Sequence, residues 1–168
     1  MDDDEARCRF ADAPVARLAT LGSRRQPHLV PVTFVVGRGP TGDAICFAVD
    51  GKAKTTRRLK RVENIIKNPK VSLLVDHYAD DWSQLWWVRA DGEGRVVERG
   101  GLFDAALAGL AAKYRQYGDA PPEGPVVVVD VEQWRSWEAA SPPGPPPEPA
   151  PGAELQDVQV FSPSQSED

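Results

Sequence analysis

Hydrophobic and polar positions alternate in several short runs along the middle of the chain, which predicts β-strands. In the run from Val71 to Asp76, valine or leucine occupies every second position, and this is the period of a pleated strand. Six such runs are present: VARLATLG, PHLVPVTFVV, DAICFAVD, KVSLLVDHY, LWWVRADGEGRVV and GPVVVVDVEQW. Their spacing predicts about six antiparallel strands in a small barrel.

Two segments between the strands have the period of an α-helix. From Thr56 to Lys67, apolar residues share one arc of the helix and polar residues share another. The apolar arc holds Leu59, Val62, Ile65 and Ile66, and the polar arc holds Arg57, Lys60, Arg61 and Asn64. A threonine can cap the start of this helix, and Pro69 ends it. The second segment, GLFDAALAGLAAKYRQYG, closes at Gly118 and is expected to cover an open end of the barrel.

The composition indicates one folded domain between two acidic ends. The chain has 168 residues, of which 41% are hydrophobic, and a formal net charge of -5. A chain of this size builds one core. Residues 1–14 form an acidic segment for which we predict a short helix, and residues 15–140 form the barrel domain. Residues 141–168 are rich in proline and acidic residues, which predicts a disordered tail.

Few residues are suited to metal binding or to nucleophilic catalysis. Cys8 and Cys46 are far apart in the sequence, and His28 and His77 stand alone, so neither a metal site nor a catalytic residue is assigned. No apolar run is long enough to cross a bilayer, and the start lacks the pattern of a secretory signal. We therefore expect a cytoplasmic protein without membrane contacts.

The sequence GRGPTG at residues 37–42 matches a dinucleotide-binding pattern, but its surroundings do not fit. That pattern requires a helix immediately after the glycines, so that the phosphates meet the helix N-terminus. Here a proline lies inside the loop and a strand follows. We therefore predict a hairpin turn.

A cluster of cations follows the third predicted strand. Between Gly51 and Val75 there are eight lysine and arginine residues and one acid, Glu63. A solvated helix face is one explanation of such a cluster. A bound anion is the other, because the cations begin at a strand-to-helix junction where free backbone N–H groups also attract anions. The segment lacks the aromatic residues that favour nucleic-acid binding, so a phosphorylated small molecule fits better.

The order of these parts resembles that of a known family, the pyridoxamine 5′-phosphate oxidase-like, flavin or deazaflavin-binding split β-barrels. The resemblance is carried by RLATLG, PHLVPVTFVV, ICFAVD, the basic helix ending in NPKVSLLVDHY, and WWVRADGEGRVV. It covers about residues 7–138. KTT and DHYADDWSQLWWVRADG are more narrowly similar to the actinobacterial branch of probable coenzyme F420-dependent enzymes.

The resemblance implies a mainly β fold with flanking helices, an FMN-binding split β-barrel, and a homodimer with two cofactor sites at the subunit interface. It also implies that the second strand lies along the cofactor ring and that the third strand and its turn lie near the ribityl chain. These two segments contain Pro31, Val32, Thr33, Ala48, Val49 and Asp50. Independently, a proline inside a strand predicts an edge or a bulge, where a ligand can approach.

Two basic pairs could hold the phosphate that the resemblance implies. They are Lys52 with Lys54, and Lys60 with Arg61. We favour Lys54 with Thr55 and Thr56 at the helix start, followed by Arg61. Trp87, beside Trp86, would form a wall next to the cofactor and the acceptor, although core or interface packing is an alternative role for these tryptophans.

Because the residues supply no evident acid, base or nucleophile, the cofactor would carry the reactive atom. The resemblance implies an oxidoreductase that uses coenzyme F420, a deazaflavin, to transfer hydride to an apolar or aromatic small molecule. Two alternatives remain open: an FMN-dependent oxidoreductase, and a non-enzymatic binder of a flavin, deazaflavin or tetrapyrrole. No nucleic-acid partner is expected. Arg89 would orient the substrate or cofactor, or pair with an acidic loop residue.

Overall fold

The structure, a computed structural model, describes residues 1–49 and 59–140. The strands in these residues are β1 (Ala16–Leu21), β2 (Pro27–Val32), β3 (Val35–Gly39), β4 (Gly42–Ala48), β5 (Lys70–His77), β6 (Trp86–Val97) and β7 (Val126–Glu138). The helices are α1 (Asp3–Asp12), α2 (Lys60–Lys67), α3 (Gly101–Lys113) and α4 (Arg115–Asp119). The prediction of a mainly β fold with flanking helices is therefore confirmed. None of the described helices is long and apolar enough to cross a bilayer.

All seven strands join one sheet in the order β2-β1-β5-β6-β7-β4-β3, and every described pair is antiparallel. The strand count exceeds the predicted six because the run PHLVPVTFVV is broken after Val32. At the break, the Phe34 N–H donates to the Tyr114 hydroxyl at 3.0 Å, and the Phe34 carbonyl accepts from the same hydroxyl at 2.9 Å. Phe34 thus satisfies its backbone outside the strand ladder.

The segment GRGPTG forms the tight turn between β3 and β4. Gly39 pairs with Gly42 across the two strands, and Gly42 has a φ of +137°, which a side chain would disfavour. The hairpin prediction is confirmed, and the dinucleotide-binding alternative is excluded because a strand, not a helix, follows the turn.

The two longest strands, β6 and β7, pair along their whole length with one irregularity between Asp91 and Gly92. A Cβ atom placed on Gly92 would lie 2.2 Å from the Asp130 carbonyl oxygen. The strands therefore approach each other at this bulge more closely than any side chain would allow.

The main core lies between the sheet and helices α1 and α2. It contains the fully buried residues Leu18, Phe34, Ile45, Phe47, Leu73 and Val88. From α1, Phe10 packs edge-on against Phe34 and Trp134, with ring centroids 5.0 and 5.1 Å apart. Helix α3 covers a smaller cluster formed by Ala44, Cys46, Val126 and Val128. These contacts tie the helices to both halves of the sheet.

The predicted single helix from Gly101 to Gly118 is interrupted. Tyr114 has a φ of -121° and a ψ of 113°, so it separates α3 from α4. The preceding Lys113 donates to the carbonyls of Ala11 and Ala13, at 2.6 and 2.8 Å. The prediction of one continuous helix was wrong because the side chains of the junction bind backbone groups that are distant in the sequence.

Helix α2 begins at Lys60, after Leu59, which provides no side-chain cap. The threonines proposed as caps lie outside the described residues. Two positions differ from the predicted arcs: Asn64 is buried, and Ile66 is 55% exposed. The assignment of Asn64 to the outer polar face and of Ile66 to the core was therefore wrong, because Asn64 has a hydrogen-bond partner in the core, the Thr20 hydroxyl, and can be buried there.

The two cysteines are expected to differ sharply in reactivity. Burial raises the pKa of the Cys46 thiol to about 11, whereas Cys8 is exposed on α1. Because the thiolate is the reactive form, native protein at pH 8 should react with Ellman's reagent at one thiol only. The variant Cys8→Ser should show no rapid reaction until the protein is unfolded, and rapid modification of native Cys8→Ser would contradict this prediction.

Candidate functional site

A cavity of about 300 Å³ lies where β2, β4, α2 and α4 meet. Its lining consists of Val15, Pro31, Val32, Thr33, Ala48, Arg61 and Tyr117. Five of these seven residues are among those selected from the sequence. The structure therefore brings the strand segment Pro31–Thr33, the end of β4 and the start of α2 into one cavity, although they are far apart in the chain.

The backbone at the cavity follows from the position of β2 at one edge of the sheet. Within the described sheet, β2 pairs with β1 alone, and Pro31 lies opposite Arg17. A strand with an internal proline is tolerated at an edge because the missing N–H costs few ladder bonds there. The pairing of Ala16 with Val32 places Val15 beside the end of β2, where it completes the apolar wall.

Arg61 provides the positive charge of the cavity. Its Nε atom is buried and has no hydrogen-bond partner among the described residues. No ion pair within 1–49 and 59–140 involves its guanidinium group either. A buried donor on a charged group is costly when it lacks an acceptor. The arrangement therefore fits a ligand that brings an anionic oxygen.

Two residues with hydroxyl groups, Thr33 and Tyr117, also line the cavity. The Thr33 Oγ1 and Tyr117 Oη atoms are 3.0 Å apart, and either can donate to the other. Hydroxyl groups can both donate and accept, so this pair can contact phosphate or ribityl oxygens. Together with Arg61, they give one wall of the cavity the donors that a phosphate ester requires.

Tyr114 and Lys113 contact Phe34, the residue that follows Thr33 of the cavity lining. The Tyr114 hydroxyl accepts from Phe34 and can donate to the carbonyl of Phe34 or of Pro14, at 2.9 and 3.0 Å. Burial raises the pKa of Tyr114 and lowers the pKa of Lys113. The ammonium group of Lys113 also lies 4.0 Å from the centre of the Phe34 ring. The junction between α3 and α4 thus fixes the segment that carries Thr33.

Replacement of Tyr114 with phenylalanine should lower the free energy of unfolding by about 1–3 kcal/mol, because the Phe34 N–H loses its acceptor. Urea denaturation would measure this loss. The control is Arg115→Ala, since the neighbouring Arg115 side chain is exposed and forms a surface ion pair with Asp119, and we expect a change within about 0.5 kcal/mol. Equal effects of the two substitutions would contradict the role assigned to the Tyr114 hydroxyl.

Trp87 lies elsewhere in the chain, on the outer face of the sheet. It lines a groove of about 490 Å³ with Arg17, Leu29, Leu74 and Tyr78. Leu29 is 64% exposed and Tyr78 is 77% exposed, so this face is unusually apolar for a solvated surface. Within one chain, the structure does not bring Trp87 to the cavity that contains Arg61.

Arg89, also in this groove, has a partner on its own strand. Its Nε and Nη2 atoms donate to Asp91 Oδ2 at 3.1 and 2.9 Å. Asp91 in turn accepts from the Ser72 hydroxyl at 2.6 Å. Of the two roles considered for Arg89, pairing with an acid is therefore observed, although that acid lies in β6 and not in a loop.

The other residues selected from the sequence fall into two groups. Val49 is buried in the main core, and Lys60 is exposed at the start of α2, so neither lines the cavity. Asp50, Lys52, Lys54, Thr55 and Thr56 lie outside the described residues. Of the one basic pair that lies within the described residues, Lys60 and Arg61, the second lines the cavity and the first does not.

Sequence reasoning missed Val15 and Tyr117 as cavity residues. Tyr117 was treated as part of a cover helix, although the polar string YRQY at the end of an alanine-rich and leucine-rich segment was a usable signal. Two tyrosines three residues apart present hydroxyl groups to one side, and here their rings pack edge-on with centroids 5.9 Å apart. No local pattern would have indicated Val15.

A larger cleft of about 540 Å³ lies between α1 and the ends of β5, β6 and β7. It contains Trp86, but Arg9 and His77 already pack on this indole. The guanidinium carbon of Arg9 lies 5.3 Å from the centre of the Trp86 ring, and the ring centroids of His77 and Trp86 are 6.0 Å apart. Arg9 also pairs with Glu5 and Glu138. The groups in this cleft satisfy one another, so it is a weaker ligand site than the cavity with Arg61.

Comparisons with known proteins agree with this architecture. The family model described as pyridoxamine 5′-phosphate oxidase matches residues 2–138. No curated protein matches the chain. A solved structure of a conserved hypothetical protein from Mycobacterium tuberculosis is 22% identical, with a TM-score of 0.66 over 82% of this chain and 85% of that chain.

Two further solved structures come from Mycobacterium smegmatis. An FAD-binding protein is 21% identical, with a TM-score of 0.56 over 83% of this chain and 98% of its own. A heme-binding protein is also 21% identical, with a TM-score of 0.62 over 82% of this chain and 54% of its own. At these identities, the likeness to the solved structures shows the fold alone.

Proposed function

The chain belongs to the pyridoxamine 5′-phosphate oxidase family, and on this premise we propose that it is a flavin-dependent oxidoreductase whose cavity holds the phosphate-bearing end of FMN. The predicted split β-barrel of this family is confirmed. One observation carries the proposal: Arg61, whose Nε atom is buried and unpaired among the described residues, lines a cavity together with Pro31 and Thr33.

The residues of the cavity fit a flavin phosphate in their chemistry. Arg61 would bind a phosphate oxygen through a charge-assisted hydrogen bond, and Thr33 and Tyr117 would contact phosphate or ribityl oxygens. Lys54, Thr55 and Thr56 are proposed as further phosphate contacts on the basis of the sequence. FMN, when bound, would supply the hydride-transferring centre. The chain's own residues would bind and orient it and exclude water.

The size of the cavity supports a site shared by two copies of the chain. A volume of about 300 Å³ is at the low end of the range for small-molecule sites, so it suits one part of a flavin and not the whole molecule. We propose that a homodimer completes the site and that the apolar groove around Trp87 forms part of its interface. Trp87 of one copy would then lie near the cofactor and acceptor of the other.

Two other cofactors remain candidates. The sequence resemblance favoured coenzyme F420, and this deazaflavin also carries a phosphate that Arg61 could bind. A solved structure with this fold is described as an FAD-binding protein, which favours a flavin, and another is described as a heme-binding protein, which keeps a non-enzymatic tetrapyrrole binder in consideration. Three further expectations stay predictions: a cytoplasmic location, an apolar or aromatic acceptor, and the lack of a nucleic-acid partner.

Titration of the purified protein with FMN, riboflavin, F420 and hemin would test the proposal. We expect FMN to bind at least tenfold more tightly than riboflavin, because riboflavin lacks the phosphate that Arg61 would bind. Fluorescence of the two flavins and absorbance of hemin would report binding. Equal affinity for FMN and riboflavin would contradict a phosphate site. If the protein bound F420 or hemin more tightly than FMN, that compound would be the cofactor instead of FMN.

Oxidoreductase activity requires a second measurement. FMN-loaded protein should reduce quinones or other aromatic acceptors when a reduced nicotinamide is supplied, and the rate should exceed that of free FMN. If the loaded protein binds FMN tightly but reduces no acceptor in such a panel, the non-enzymatic alternative is supported instead.

A further inference from the structure

Helix α2 buries a polar side chain, Asn64, and exposes a hydrophobic one, Ile66, which is the reverse of what its apolar arc predicts. Its buried residues are Val62, Asn64 and Ile65, whereas Ile66 is 55% exposed. At 100° per residue, the centre of this buried arc lies roughly 60° from the centre of the apolar arc formed within the helix by Val62, Ile65 and Ile66. The helix is therefore rolled about its axis toward its polar side, and this roll leaves a large apolar residue in water.

A buried hydrogen bond accompanies the roll. The Asn64 Nδ2 atom donates to the Thr20 Oγ1 atom of β1 at 3.0 Å, and these residues are 2% and 3% exposed. A buried amide without a partner would be strongly disfavoured, so the bond specifies one orientation of the helix. On the same side, Ile65 packs over Gly94, where an added Cβ would lie 3.2 Å from the Ile65 Cγ2 atom.

The roll decides whether Arg61 faces the cavity. Arg61 precedes Asn64 by three residues, so the two share one side of α2. In the observed orientation, Arg61 lies about 35° from the centre of the buried side of the helix. If the apolar arc were buried instead, Arg61 would lie about 95° from that centre. The second orientation would carry Arg61 out of the cavity that it now lines.

We propose that Asn64 is a positioning residue for Arg61: its hydrogen bond to Thr20 holds α2 in the roll that keeps Arg61 in the cavity lining. The proposal rests on the proposed function in so far as Arg61 binds the phosphate. Asn64 itself makes no contact with the ligand, since it does not line the cavity. Its contribution is the orientation of the helix.

The test uses the full chain and two independent readouts. In a Cys8→Ser background, Ile66→Cys places a thiol at the exposed position, and its alkylation rate reports the roll. Adding Asn64→Gln lengthens the side chain by one methylene group, so that its amide no longer fits the buried bond to Thr20 and burial of position 64 becomes unfavourable. We expect the alkylation rate to fall severalfold and FMN affinity to fall about tenfold, while riboflavin affinity stays within about twofold.

Two variants of the partner residue keep the test decisive if Asn64→Gln does not fold. Thr20→Val removes the acceptor and should reproduce both effects, whereas Thr20→Ser retains the hydroxyl and should behave as the native protein. Unchanged alkylation and an unchanged ratio of FMN to riboflavin affinity, in variants that lose only stability, would overturn the proposal. If native protein fails to prefer FMN over riboflavin, the proposed function fails, while alkylation still decides whether Asn64 sets the roll.

Discussion

Replacing Gly92 with alanine is expected to lower the free energy of unfolding by about 3 kcal/mol. The added Cβ would lie 2.2 Å from the Asp130 carbonyl oxygen, which is a backbone atom and cannot turn away as a side chain could. The strands β6 and β7 would have to separate at the bulge between Asp91 and Gly92, with loss of neighbouring ladder bonds. Urea denaturation monitored by tryptophan fluorescence would measure the change.

Gly37 provides the matched control, because it also lies in a strand but an added Cβ would meet nothing within 4 Å. Gly37→Ala should therefore change stability by less than about 0.5 kcal/mol. If Gly92→Ala were as stable as the native protein, the close approach at the bulge would not exist in solution.

Replacing Arg61 with alanine is expected to weaken FMN binding about 100-fold, which corresponds to the loss of charge-assisted hydrogen bonds worth about 2.7 kcal/mol. Riboflavin binding should change little, because riboflavin lacks the phosphate. The FMN affinity of Arg61→Lys should fall between that of the native protein and that of Arg61→Ala, since lysine keeps the charge but not the Nε donor. Fluorescence titration of both flavins would give the affinities.

Lys60 is the control for Arg61, since it is the adjacent cation on α2 but is exposed and does not line the cavity. Lys60→Ala should alter FMN affinity by less than about twofold. Lys54→Ala, alone and combined with Arg61→Ala, would show whether the segment outside the described residues also binds the phosphate. Similar effects of Lys60→Ala and Arg61→Ala would indicate nonspecific attraction of the anion and would remove the basis for a phosphate site at Arg61.

The strands were predictable from sequence because their alternation and β-branched composition are local properties. The break after Val32 was not, since the hydroxyl group that satisfies Phe34 belongs to Tyr114, which is 80 residues away. The interruption of the second helix has the same cause. In both places, a tertiary hydrogen bond outweighs a local preference for continuing the strand or the helix.

The candidate site was predictable in part. The edge strand with Pro31 and the basic helix with Arg61 are visible in the sequence, and the structure places them in one cavity. The roll of α2 was not visible, because hydrophobicity alone predicts that Ile66 is buried and Asn64 is exposed. Tyr117 was missed because its contribution depends on the turn at Tyr114, and that turn exists only in the folded chain.

The contacts of Tyr114 and Lys113 also determine when the cavity forms during folding. They join the α3–α4 junction to residues 11–14 and to Phe34, across 80 to 102 positions of sequence. Closing loops of this length is entropically costly, so we expect these bonds to form after the transition state, once the β6–β7 ladder is in place. Tyr114→Phe should then accelerate unfolding without slowing refolding in stopped-flow measurements. A folding chain would thus pair β6 with β7 before it acquires its ligand-binding capacity.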